Sequence, residues 1–164
     1  MMTADVYSAI SNIEPISPRI MQISFNGNPK LTIFVCYSPT EGDSSDIAED
    51  FHNTLRHAVS NIPAHNLLLV IGDFNSHLGK DHPEDTGVYY HSTTNRNGHL
   101  LRDTLLECRL VATNHCFQKR HGKLWTFLSD ATGTKSQIDY ILIRKKWRNS
   151  IKNTEPYNFF GSIG

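Results

Sequence analysis

The run Leu67 to Ile71 (LLLVI) is wholly apolar and stops at Gly72-Asp73-Phe74-Asn75. A strand of that composition delivers a carboxylate, Asp73, and an amide, Asn75, at its end. Two residues apart on an extended backbone, the two side chains point the same way. Gly72 removes bulk beside them. Such a pair can hold a metal-bound phosphate and orient a water molecule for attack. The same spacing suits two turn residues after a strand, and on spacing alone the two readings weigh evenly. Asp139, in Gln137-Ile138-Asp139-Tyr140, puts a charge into an apolar strand, which is unfavourable without a partner; a structural cap or ion-pair role is the commoner alternative. Tyr37 stands just before Ser38-Pro39, where a phenol can hydrogen-bond a phosphate oxygen, although a strand aromatic more often has no such role. Trp125 reads as core rather than as a platform for a stacked base.

The elements that must position these groups follow from periodicity. Ile20 to Phe25 alternates and reads as a strand. Lys30 to Tyr37 is β-branched and aromatic and reads as a second strand, joined to the first as a hairpin through Asn26-Gly27-Asn28-Pro29. Ser44 or Ser45 caps a helix running to about Asn61, with Ile47, Phe51, Leu55, Ala58 and Val59 on its apolar face. Leu67 to Ile71 has the composition of a strand buried on both faces. His77 to Asn97 is polar and reads as a long loop. A helix over Gly98 to Cys108 carries Leu101, Leu105 and Leu106. Short strands are expected at Leu110 to Thr113, at Trp125 to Phe127 and at Gln137 to Ile143. Strands mixed with helices indicate an α/β or α+β sandwich.

Composition sets the class. The chain has 164 residues, 38% hydrophobic and 20% charged, which is ordinary for one folded domain. Sixteen basic and sixteen acidic residues give a formal charge of zero, so no global basic footprint is present, although Arg144, Lys145, Lys146, Arg148 and Lys152 cluster. Three cysteines, Cys36, Cys108 and Cys116, make no disulfide framework. His99, Cys108, His115 and Cys116 match no structural zinc spacing. The first residues carry no signal-peptide pattern and no run is long enough to span a membrane, so the expected location is intracellular, nuclear or cytoplasmic rather than secreted.

In order along the chain, Cys36-Tyr37-Ser38-Pro39-Thr40, Ile71-Gly72-Asp73-Phe74-Asn75, Trp125-Thr126-Phe127 and Gln137-Ile138-Asp139-Tyr140-Ile141-Leu142 resemble the endonuclease/exonuclease/phosphatase superfamily. Within it the chain is most similar to the apurinic-endonuclease-like domains of LINE-type retrotransposons and to craniofacial-development-protein-2-like proteins. The resemblance runs from about Ile13 to the last residue, and Gly-Asp-Phe-Asn after an apolar strand is its most specific part. It implies a two-sheet β-sandwich flanked by helices, the deoxyribonuclease-I-like four-layer fold, here incomplete. It implies that Asp73 helps activate the attacking water and that Asn75 contacts the phosphate or metal. Tyr37 would support the scissile phosphate, Asp139 would orient a catalytic histidine, and Thr126 would lie near the substrate groove. Asp73 and Asn75 would share Mg²⁺ or Mn²⁺, which prefer carboxylate and water oxygens. The expected partner is DNA, with no membrane and no obligate protein partner.

Two departures from that pattern bear on activity. No strand before Tyr37 supplies the family's metal-binding glutamate; Glu14 precedes Pro15 and is left unassigned. The chain ends at Ser162-Ile163-Gly164, about where a Ser-Asp-His motif with the catalytic histidine would begin. The expectation is therefore a partial nuclease domain hydrolysing DNA phosphodiester bonds, weak or inactive as this chain, with weakened metal affinity. The alternatives are a catalytically dead, retroelement-derived nucleic-acid-binding remnant, or a phosphatase or phospholipase of the same superfamily.

Overall fold

The structure is a computed structural model that describes residues 4–80, 88–89, 93–119 and 123–156. Its centre is a six-stranded sheet in the order β1-β2-β3-β4-β8-β5. The strands are β1 (Ile10–Ser17), β2 (Ile20–Phe25), β3 (Leu31–Tyr37), β4 (Leu67–Asp73), β5 (Leu110–Ala112) and β8 (Asp139–Arg144). A separate two-stranded sheet pairs β6 (Phe127–Leu128) with β7 (Lys135–Ser136). The helices are α1 (Ala4–Ser8), α2 (Ser45–Ser60) and α3 (Arg96–Glu107).

The β2–β3 hairpin is antiparallel, as its turn sequence requires. From β3 the chain crosses through α2 and returns as β4, parallel to β3, so Tyr37 and Asp73 end their strands side by side. β8 lies antiparallel on the other side of β4. One face of this sheet is closed. Phe34, Leu68, Val70 and Leu142 form one core cluster with Phe51, Leu55 and Val59 of α2 and Leu101 and Leu105 of α3. The opposite face is less covered, with Met21 45%, Val35 40% and Ile141 37% exposed.

Several sequence expectations change here. β4 is central but not buried on both faces: Leu68 and Val70 are fully buried, while Leu67, Leu69 and Ile71 on the alternate face are half-buried. β1 was not legible because Pro15 interrupts its pattern; it is an edge strand, where a missing N–H leaves no ladder bond unmade on the open side. Glu14 does lie in a strand, opposite Gln22, well back from the sheet end that carries Asp73. Ile47 and Leu106 are 49% and 45% exposed, outside the buried stripes of their helices. α3 begins two residues earlier than expected, because Asn95 caps it by accepting from Gly98 N–H at 2.8 Å. Trp125 and Thr126 precede a strand of only two residues. Residues 81–87 and 90–92 of the expected long loop, and the end of the chain at 162–164, lie outside the described residues.

His52 replaces an aliphatic residue on the buried face of α2. Thr104 Oγ1 lies 2.9 Å from its Nδ1 and donates its own proton to Leu100 O, so Nδ1 is the donor of the pair. Nε2 is buried with no hydrogen-bond partner among the described residues. Burial, and then the Arg56 charge, push the imidazole pKa down to about 3. The unfolded chain protonates this group near its ordinary value of 6.5, so stability from neutral burial is complete above that pH. It is lost as pH falls from there toward about 3, with a slope of up to about 1.4 kcal/mol per pH unit. Denaturant unfolding of the parent and of His52→Leu between pH 5 and neutrality checks this: the parent loses stability more steeply, and equal slopes would refute it.

Candidate active site

The β3–β4–β8 register places three side-chain positions in one row. Tyr37 is the partner of Asp73 across the parallel pair, and Asp73 is the partner of Asp139 across the antiparallel pair. Directly opposed positions have Cβ atoms about 4.5–5.5 Å apart, and like charges there repel. Burial raises the Asp73 pKa above the ordinary carboxylate range; the Asn75 backbone N–H opposes that shift and the Asp139 charge adds to it. Asp139 is half-buried, less enclosed than its apolar strand suggested. Tyr37 is 54% exposed, its phenol open to solvent.

The row exists because the backbone tolerates a close pass beside it. Gly72 sits at φ 148°, and a Cβ there would stand 1.9 Å from Cys36 O on β3. Beyond Asp73 the chain turns sharply. Asn75 adopts φ 46°, a left-handed geometry that asparagine accepts more readily than most residues. Its N–H donates to Asp73 Oδ1 at 2.8 Å, and its side-chain Nδ2 donates to Ser38 O at 2.9 Å. The amide thus stitches the Asp73 turn to the Tyr37 loop, with its own oxygen turned away from that bond. Thr126 Oγ1 accepts from the N–H groups of Ile138 and Asp139, both at 3.1 Å, so it holds the start of β8 in place. All five residues singled out from the sequence meet at one end of the sheet.

Three further residues serve this end and escaped sequence reading. Arg19, in the β1–β2 turn, lies over the Tyr37 ring at 5.6 Å from its centroid. It supplies a cation beside the row, and only a Pro-Arg pair between two strands could have hinted at it. Asn97, fully buried, donates to Pro39 O at 2.9 Å and to Asn75 O at 3.3 Å. Arg96 donates to Asp43 O at 3.0 Å and Thr40 O at 3.2 Å. The first turn of α3 therefore clamps both site loops, which a reading of those residues as loop end could not anticipate. Among the described residues no histidine joins the carboxylate pair: His77 faces Glu41, and His115 bonds Gln137 at 2.6 Å.

The donor set fits a hard divalent cation. Two opposed carboxylates and an amide oxygen are oxygen donors only, and Mg²⁺ is commonly held by one or two carboxylates with water and phosphate completing its shell. No group of three or more His, Cys, Asp or Glu side chains clusters as a metal site among the described residues.

No family model matches the chain. It is 31% identical over 152 residues to craniofacial development protein 2 from Bos taurus and 30% identical to that from Tragulus javanicus. Each match covers 92% of this chain, which spans about a quarter (26%) of those relatives' length. Among solved structures, the 3′ phosphatase NExo from Neisseria, bound to product DNA hairpin, superposes with a TM-score of 0.63 at 16% identity, over 85% of this chain and 60% of that one. The endonuclease domain of TRAS1, a telomere-specific non-LTR retrotransposon, superposes at 0.54 and 13% identity, over 80% and 52%. These structures share the nuclease- and phosphatase-type fold with this chain, and the resemblance read from its motifs extends over nearly its whole length.

Two outcomes test the site's energetics. Because burial and Asp139 disfavour the Asp73 carboxylate, its charge lowers stability as pH rises through its raised pKa. Asp73→Asn is therefore expected to raise the Tm at neutral pH in chelator, at about 2–4 °C per kcal/mol relieved. Mg²⁺ should raise the parent's Tm more than the variant's; a lower Tm for Asp73→Asn in chelator would refute the repulsion. Gly72→Ala should lower the Tm sharply, since the clash is with backbone, and a Tm within a degree or so of the parent's would show that β3 and β4 can separate.

Proposed function

We propose that this chain, which has the fold of the endonuclease/exonuclease/phosphatase proteins, carries a phosphodiesterase-type centre that engages DNA through a divalent cation, with slow or no turnover by this chain itself. The observation that carries the reading is the row of Tyr37, Asp73 and Asp139 across three adjacent strands. In-line hydrolysis needs an oriented water, neutralised phosphate charge and a stabilised leaving oxygen. Asp73 is the group that orients the water and accepts its proton. Tyr37 donates its phenol proton toward a phosphate oxygen, and Arg19 beside it adds positive charge. Asn75 keeps Asp73 and the Tyr37 loop in register, leaving its amide oxygen for a cation or water. Thr126 fixes Asp139 through the backbone.

Asp73, Asp139 and the Asn75 amide oxygen would hold Mg²⁺ or Mn²⁺, which would neutralise the phosphate and lower the pKa of bound water. The carboxylate pair repels a phosphodiester without such a cation. That makes DNA retention, as well as hydrolysis, dependent on the metal. Slow turnover is the expectation because His77 and His115 are turned to Glu41 and Gln137, so neither protonates the leaving oxygen beside Asp139. No helix among the described residues is long and apolar enough to cross a membrane.

The test combines binding and nicking. Retention of labelled duplex DNA is expected to rise with Mg²⁺, to fall in chelator, and to fall in Asp73→Ala and Asp139→Ala. Nicking of supercoiled plasmid should be near background, and any Mg²⁺-dependent nicking should drop by at least about a hundredfold in Asp73→Ala. Robust nicking lost in Asp73→Ala would keep the centre and overturn the slow turnover. DNA retention indifferent to both Mg²⁺ and Asp73 would sink the centre itself.

A further inference from the structure

At the end of β4 remote from Asp73, a hollow of about 1030 Å³ opens between the C-terminal turns of α2 and α3, β5 and the 3₁₀ turn Lys145–Ser150. Its floor is aliphatic, formed by Val59, Ile62, Leu105, Leu110 and Val111. Its wall and rim carry Arg56, Arg109, Arg144, Lys145, Lys146 and Arg148, against one carboxylate, Glu107. Six cations and one anion thus surround a single hollow in a chain whose formal charge is zero.

Three of the six are already engaged. The Lys146 ammonium lies over the Trp147 ring at 4.9 Å from its centroid. Arg56 pairs with Glu107 at 3.2 Å, and Arg144 donates to Ile62 O at 2.7 Å and to the carbonyls of Val59 and Pro63, closing the end of α2. Arg109, Lys145 and Arg148 are exposed and have no carboxylate partner among the described residues. Their placement is fixed by backbone. Arg109 holds φ 52° just after α3, a conformation that glycine or asparagine adopts at lower energy. Its N–H donates to Leu106 O at 3.2 Å, and its carbonyl accepts from Lys145 N–H at 2.8 Å. The turn that bears Arg109 is therefore bound to the turn that bears Lys145, and both cations sit on one rim before any ligand arrives.

We propose that this hollow is a docking groove for an acidic peptide segment of a partner protein, with carboxylates on the cationic rim and aliphatic side chains on the floor. Charge complementarity and the aliphatic floor choose that occupant. Among the described residues no Phe, Tyr or Trp lines the hollow and the one imidazole, His115, is fully buried, so bases of single-stranded nucleic acid have no exposed ring to stack on. A duplex would neutralise the rim through its phosphates but leave the floor uncovered. An acidic segment with apolar anchors satisfies both surfaces at once. The groove is independent of the phosphodiester centre proposed above.

The full chain is titrated, with fluorescence anisotropy as the readout, against a labelled peptide of alternating Glu and Leu. Controls are peptides of the same length with Ser for Leu and with Lys for Glu, and an oligothymidylate of that length. The Glu–Leu peptide is expected to bind, more weakly as salt rises, and each control peptide to bind at least about tenfold more weakly. The surface variant Arg109→Glu/Lys145→Glu/Arg148→Glu should lose at least about tenfold in affinity with an unchanged thermal melt. Asp73→Ala should bind the peptide like the parent. Oligothymidylate binding more tightly than the peptide, through the same three cations, would reassign the hollow to nucleic acid. A peptide that binds the charge-reversed variant equally, or binds neither protein, would overturn the groove.

Discussion

Asp73 and Asp139 oppose each other across antiparallel strands whose alignment is set by buried apolar pairs behind them, Val70 with Leu142 above all. A slip of one residue would carry those side chains from the closed face to the open one, so the core cannot relieve the repulsion by shifting register. The unfavourable pairing is imposed by the favourable one. Burial and like charge at the end of β4 are held there by the helices packed on Leu68, Val70 and Phe34. Sites that perturb a carboxylate in this way are where proton transfer or cation binding is expected, and a cation is what the row needs electrostatically.

Holding such a row demands loops that do not drift, and here they are fixed largely by amide and backbone bonds, with the Arg96–Glu41 pair at 4.0 Å beside them. Asn75 joins the Asp73 turn to Ser38, Asn97 joins it to Pro39, and Asn95 ties His77 to the cap of α3 at 2.8 Å. Tyr140, fully buried beneath the row, accepts from Leu78 N–H at 3.2 Å and stands 3.0 Å from Gln137 O. Neutral donors and acceptors suit the purpose. They position the loops without adding charge that would compete with a phosphate or a metal ion, and buried amides bonded at both ends are costly to displace.

Much of this was legible because local chemistry and the fold agree. The hairpin turn, the capped helix after Ser44 and the apolar run before Gly72 each specify one element on their own terms, and Tyr37, Asp73 and Asp139 fall at paired strand ends. Asn75 does not follow the extended alternation read from its spacing: β4 ends at Asp73 and the chain turns at Asn75 with φ 46°. The parts that stayed hidden are those whose cause is distant in sequence. β1 is a strand only because β2 pairs with it, and Pro15 hides it. His52 is buried only because Thr104, on another helix, offers an oxygen to its Nδ1. Arg19 matters through the ring of Tyr37, and Asn97 through two carbonyls more than twenty residues away. Leu69 and Ile71 read as buried on composition, but their exposure depends on what lies across the sheet, which no local pattern encodes.

The formal charge of zero conceals a division along the strands. At the Asp73 end, Asp43, Asp73 and Asp139 outnumber the nearby Arg19 and Arg96, so the proposed phosphodiester would be drawn there only once a cation had reversed the local sign. At the other end, the hollow under Arg109 and Lys145 attracts anions without help. A sheet whose strands carry few charges separates the two ends, and at physiological ionic strength the Debye length of about 8 Å keeps exposed charges at one end from influencing the other. The two surfaces can therefore take different ligands at once. Added salt should weaken both, but chelation would act at the Asp73 end alone if the proposed cation is held there, since among the described residues no group of three or more His, Cys, Asp or Glu forms a metal site at the cationic end.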